Sequence, residues 1–297
     1  MHHLQRKLKV KRLLLLILVV GISGGGLFAL HRFQERRQAG TFLHRAQEAV
    51  ANQDWEAAHD LYKQYLQFRP RDLAGLQGYA TALEELAKTR PAMARQQILV
   101  TEQLLRLDPH QNEFRHKLAK RYLEAGHYPN AKEHLNFLLN PTEGGQSGDA
   151  ELLELAASCE ILDGRNYSGA VQYLERAVRT GKASTEAYLQ LALTLRQQIA
   201  IEEARERAEA VLNDLITARP NDLMAHLARA RYWVQTGDPT KAQADLDQAA
   251  RLPGAGEHPD LILAQAELAL WKDDLDAAKN VLTHGTETAP DDLRLRL

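Results

Sequence analysis

Cysteine occurs once in this chain, as Cys159. A lone thiol excludes an internal disulfide and a cysteine-built zinc site, and one so far along the chain is not the acylated cysteine of a lipoprotein. The short motifs of nucleotide and metal chemistry are missing too: there is no Walker A loop, no Rossmann glycine run and no H-E-x-x-H pair. The twelve histidines are scattered. His44 shares a helix face with Glu48, and His226 with Ala230, but neither gathers the three or four ligands a metal needs, and His2-His3 stands alone. The stretch Gly21-Ile22-Ser23-Gly24-Gly25 matches G-x-S-x-G, yet it sits inside an apolar run, with no strand-to-helix turn to expose the serine. Cys159 reads as a small hydrophobe, since no cation is placed to activate it. The sequence therefore offers no catalytic residue, no cofactor site and no metal site.

Positive charge is scarce outside the N-terminus. Residues 1–12 carry Arg6, Lys7, Lys9, Lys11 and Arg12 with no acid, whereas from Gln38 onward 29 Lys+Arg face 38 Asp+Glu, a balance of −9. Such a body repels phosphate backbones, which excludes nucleic acid as a partner. The conspicuous run at 202–207 pairs Glu203 with Arg207 and Arg205 with Glu209 at i, i+4, the pattern of a solvated helix face.

Long uncharged stretches are equally rare, and residues 13–30, LLLLILVVGISGGGLFAL, stand out. Eighteen helical residues span roughly 27 Å, enough for a bilayer core. Five basic residues precede the run, and Arg32, Arg36 and Arg37 follow it. The positive-inside bias makes 1–12 a cytoplasmic tail and 13–33 a signal-anchor helix, with the remainder across the membrane. In a bacterium that is the inner membrane with a periplasmic body. A cleaved signal peptide is the competing reading, with Gly24-Gly25-Gly26 as small residues near a cleavage point; both readings carry the body out of the cytoplasm. Gly21, Gly25 and Ala29 recur at i, i+4, i+8, a small-residue stripe on which a second membrane helix could pack, although glycines are common in such helices anyway.

From residue 38 the chain repeats itself. Leu118, Ala119 and Tyr122 form an apolar stripe that ends at Gly126, and Ala131, Leu135 and Leu138 form a second; Ala230, Trp233, Gly237, Ala242, Leu246 and Ala249 do the same again. A helical stripe, a glycine turn and an alanine five residues later describe a helix–turn–helix hairpin. Its second-stripe alanine position falls at 58, 97, 131, 170, 208, 242 and 278, spacings of 39, 34, 39, 38, 34 and 36.

These residues resemble the tetratricopeptide repeat, whose period is 34 residues. Its pattern has small residues at positions 8 and 20 and often proline at 32. Position 8 is matched by Ala46, Ala80, Ala119, Ala156, Ala192, Ala230 and Ala266, and position 32 by Pro70, Pro109, Pro220 and Pro290; Gln97 departs from the pattern at position 20. The resemblance implies an all-α, right-handed α-solenoid of about seven hairpins over 38–297. The units run approximately 38–71, 72–110, 111–143, 149–182, 184–221, 222–256 and 258–291, and 292–297 look like the opening of an eighth. No polar capping element is visible at that end. The Gly/Ser-rich stretch at 140–149 reads as a hinge or as an ordinary loop between repeats.

In this family the first helices line a groove through positions 2, 5, 9 and 12. Carried over, positions 5 and 9 give Gln77, Thr81, His116, Lys120, Leu189, Leu193, Leu227, Arg231, Leu263 and Glu267. Members that clamp chaperone C-termini need Lys at 5 and Asn at 9, and neither occurs here. The leucines suit a helix or extended apolar segment of a partner, or else they pack between repeats. The expected function is a non-catalytic scaffold that binds protein from a membrane tether. A holdase for secreted or envelope proteins, and the docking arm of a longer enzyme, are the alternatives.

Overall fold

The computed structural model describes residues 37–140, 142, 148–197 and 201–296. The expected anchor at 13–33, with Gly21, Gly25 and Ala29, lies outside the described residues, as does most of the loop at 140–149. Among the described residues there is no strand, and no helix is long and apolar enough to cross a membrane.

Fourteen α-helices follow one another among the described residues. They are α1 (37–51), α2 (Trp55–Phe68), α3 (Leu73–Thr89), α4 (Met93–Leu107), α5 (Asn112–Glu124), α6 (Tyr128–Leu139), α7 (Ala150–Gly164), α8 (Tyr167–Arg179), α9 (Thr185–Leu195), α10 (Ile201–Ala218), α11 (Leu223–Thr236), α12 (Pro239–Ala250), α13 (Pro259–Trp271) and α14 (Leu275–Thr288), with a 3-10 turn at Leu293–Leu295. They form two compact units that divide within α5, between Arg121 and Tyr122.

The helix ends are written into the sequence. Asp54, Asn166, Asp238 and Asp274 each accept a hydrogen bond from a backbone N–H in the first turn of α2, α8, α12 and α14. Asp72, Asp149, Ser184 and Asp222 do the same for α3, α7, α9 and α11. Each such cap satisfies an N–H the helix cannot, worth about 1 kcal/mol. The turns inside the hairpins pass through left-handed backbone, at Gly126 and Gly237 as the glycine pattern leads one to expect. The same conformation is adopted by Gln53, Arg165 and Asp273 with φ of 58°, 53° and 60°. Arg69, Asp108 and Ala289, which precede Pro70, Pro109 and Pro290, take φ of −134°, −137° and −128°, outside helical geometry, so the second helices stop there.

In the first unit α2 packs on α3 and α3 on α4. Ala46, Ala58, Tyr62, Leu76, Ala80, Leu83 and Leu104 share one core. Two glycines admit the tyrosine rings: a methyl group on Gly75 would lie 2.5 Å from Tyr65 Cε1, and one on Gly78 would lie 2.2 Å from Tyr62 Cζ. Gln97, the departure at position 20, is buried, and its Oε1 accepts a 3.0 Å hydrogen bond from Arg121 Nε. That bond offsets the cost of a buried amide.

In the second unit three second helices pack both on their own partner and on the next first helix: α8 on α7 and α9, α10 on α9 and α11, α12 on α11 and α13. The position-8 and position-20 alanines Ala156, Ala170, Ala192, Ala208, Ala230, Ala242, Ala266 and Ala278 are all buried. Beside them Leu174, Leu212 and Leu246 fill the junctions, each contributing about 2 kcal/mol by leaving water. The α11–α12 hairpin adds a polar clamp. Asp245 of α12 accepts from Arg229 Nη2 at 2.6 Å and from Trp233 Nε1 at 3.1 Å, both on α11.

The segment expected to open an eighth unit forms a single turn. Asp292 caps it, Leu295 is buried against Ile262, Ala266 and Leu282, and Arg296 is already extended, with φ −91° and ψ 107°. Leu295 thus extends the core of the last hairpin.

Candidate protein-binding face

The residues carried over from the family fall into two groups, one per unit. In the first unit Gln77 and Thr81 lie one turn apart on α3, where Thr81 Oγ1 donates to the Gln77 carbonyl at 3.0 Å. Gln77 also donates through Nε2 to Gln111 Oε1 at 2.8 Å, so its amide is engaged in holding α3 to the start of α5. On α5 itself, His116 is half-buried and Lys120 exposed.

In the second unit the first helices run side by side, with α11 in contact with both α9 and α13. Leu193, Arg231 and Leu263 are half-buried on this row, and Glu267 is exposed. Leu189 and Leu227 are only 3% and 1% exposed, so they pack within the fold and have no area to give a partner. Their helices lean on each other there, and the position-5 side chain fills the seam. Three residues at family positions 2 and 12 extend the accessible row: Met224, 39% exposed, with Val234 and Arg196 half-buried. The family pattern names those positions, and reading it at 5 and 9 alone missed them. Arg196 is held in place, with its guanidinium 5.9 Å from the Tyr232 ring centroid.

The accessible row is mixed, with leucine, methionine and valine beside two arginines and a glutamate. An apolar stripe with a few charges of both signs suits a polypeptide surface better than a small molecule, which needs a concave pocket that buries most of it. Among the described residues no three His, Cys, Asp or Glu side chains converge as metal ligands would. Cys159 lies buried in α7, where desolvation pushes its thiol up to about 11, far from the thiolate that reacts.

No family model matches the sequence, and no curated protein does either. Solved structures do match. A tetratricopeptide repeat protein from Parabacteroides merdae superposes with a TM-score of 0.62 at 17% identity, over 88% of this chain and 96% of that one. The C-terminal part of a TPR repeat-containing protein from Cytophaga hutchinsonii gives 0.55 at 15% identity, over 85% of this chain and 97% of that one. The fold is that of the tetratricopeptide repeat proteins. At these identities the likeness speaks for the backbone, and the residues on the first-helix row are this chain's own.

Proposed function

We propose that this chain is a non-catalytic scaffold, tethered to a membrane through residues 13–33, that holds a protein partner along the first-helix row of its second unit. The observation that carries the reading is the side-by-side placement of α9, α11 and α13. It is supported by the partial exposure of Leu193, Arg231 and Leu263 and the exposure of Glu267 and Met224 on those helices. An apolar stripe of this kind takes a helix or extended segment, and Arg231 and Glu267 fix its register by charge. The tether is supported by the sequence alone: the uncharged run at 13–30 and the five basic residues before it. On that pattern the N-terminus is cytoplasmic and the repeats face the periplasm of a bacterial cell.

The test is photo-crosslinking in intact cells, with probes at positions 193 and 231 and a control at Gln248, exposed on α12. One protein captured at 193 and 231 but not at 248 supports the scaffold. Capture at 248 alone removes the first-helix row from the account, and capture of many unrelated chains marks a holdase instead. A topology reporter fused after Leu297 tests the tether: activity confined to the cytoplasm overturns the orientation.

A further inference from the structure

The acidic balance of the chain is not shared evenly between its two units. From Gln38 to Arg121, in the first unit, 12 Lys+Arg face 10 Asp+Glu; from Tyr122 onward, in the second, 17 face 28. Part of the first unit's basic charge is neutralised locally, since Arg90 pairs with Glu56, and Lys117 with Glu84 and Glu113. Arg37, Arg69, Arg71 and Arg106 are different: they are exposed and make no ion pair among the described residues.

These arginines share one edge of the first unit, where its hairpins join. The Phe42 ring of α1 stacks on Phe68 of α2 with centroids 6.0 Å apart, so Arg37 and Arg69 lie at the same end of the first hairpin. Near the end of α4, Gln103 Nε2 donates to the Pro70 carbonyl at 2.7 Å, and Arg106 follows one turn later. Leu73 at the start of α3 and Leu107 at the end of α4 open on the same edge, 37% and 38% exposed. The loop acids are engaged: Asp72 caps α3, and Asp108 accepts from the His110 N–H and from Gln111 Nε2. Arg71 serves no purpose in the fold, since it stands just before the N-terminus of α3, where the helix dipole disfavours a cation. With Phe68, Arg69, Pro70 and Asp72 it lines an open notch of 400 Å³.

We propose that this edge of the first unit seats on an anionic phospholipid surface, with the arginines on headgroup phosphates and Leu73 and Leu107 among the headgroups. The proposal rests on the tether at 13–33 put forward above. From residue 33 to Arg37 the chain spans about 14 Å at most, so the tether delivers this edge to the bilayer. The opposite edge, at the α1–α2 turn, lies a helix length of about 21 Å further. Free arginines with exposed leucines between them match a surface of fixed phosphates over an apolar interior.

The test reconstitutes the full chain in phosphatidylcholine vesicles with or without phosphatidylglycerol, both carrying spin-labelled headgroups that quench a nearby fluorophore. The fluorophore is placed through Gln67→Cys, exposed in the last turn of α2, or through Asn52→Cys, exposed at the α1–α2 turn; Cys159 is buried and escapes labelling. The proposal expects quenching at 67 and not at 52, in the anionic vesicles only, and lost at about 0.5 M salt, where charges are screened within about 4 Å. Arg69→Gln with Arg71→Gln should lower the docked-to-free ratio about twenty-five-fold, each arginine near an anionic surface being worth about fivefold. Both side chains are exposed, so unchanged melting checks that the fold is kept. Equal quenching in the two kinds of vesicle overturns the proposal, as does quenching indifferent to the double variant or as strong at 52 as at 67. Carbonate extraction reads the tether separately. A chain that resists extraction yet stays unquenched at 67 keeps the tether and loses the docking edge. A chain that carbonate strips, but that anionic vesicles recruit through Arg69 and Arg71 at low salt, keeps the edge and loses the tether.

Discussion

At the first junction between hairpins, Tyr65 of α2 lies against Gly75 of α3; at the last, Gly285 of α14 lies against Leu295. A methyl group on Gly75 would come within 2.5 Å of the tyrosine ring, and one on Gly285 within 2.7 Å of Ile262 and 3.3 Å of Leu295. The two junctions use the same pair of repeat positions with the sizes exchanged. Between them two of the five equivalent pairs, Leu215 with Ala225 and Ala249 with Leu261, also join a large residue to a small one, all buried. At these four junctions a large residue meets a small one, whereas Ala177 with Ala187 is small on both sides and Leu104 with Phe114 large on both. Where a large residue meets a small one, the two fill the junction together, and either member can be the large one.

The largest expected effect lies inside one hairpin and sets the scale for the others. Asp245→Ala leaves Arg229 without its carboxylate partner and Trp233 Nε1 without an acceptor. It should cost about 4 kcal/mol in urea unfolding of the second unit; a loss below 1 kcal/mol would show that the clamp is dispensable. Next comes Gly75→Leu, which overfills the first junction and should cost about 3 kcal/mol in the first unit. Pairing it with Tyr65→Ala converts that junction to the arrangement of the last one. The double-mutant cycle should then return a favourable coupling of about 1–2 kcal/mol, whereas simple additivity would break the volume argument. The smallest effect concerns the turns. Asp273→Gly relieves a left-handed φ of 60° and should stabilise the α13–α14 hairpin by about 0.5 kcal/mol, read as slower amide exchange there.

The repeat was legible because its signal is local and recurs: an alanine at each position 8, and an alanine at six of seven positions 20, mark where helices nest. What could not be read depends on partners distant in sequence. Gln97 looked like a flaw, and its remedy is Arg121, 24 residues on and on another helix. The exchange of Tyr65 and Gly75 for Gly285 and Leu295 needs both members of a pair to be known before either makes sense. Leu189 and Leu227 share a family position with Leu263, yet contact between neighbouring first helices closes over the first two and leaves the third half-exposed. Glycine alone suggests left-handed turns, so Gln53, Arg165 and Asp273 passed unnoticed in that role.

The direct test of the scaffold reading uses the partner caught at positions 193 and 231, purified and titrated calorimetrically against the full chain. Leu193→Glu combined with Arg231→Glu should lower affinity by about a hundredfold while leaving the melting transition in place, and Asp247→Lys on the exposed side of α12 should change neither. The opposite pattern, with affinity lost through Asp247→Lys and kept by the double variant, would contradict a partner held on the first helices.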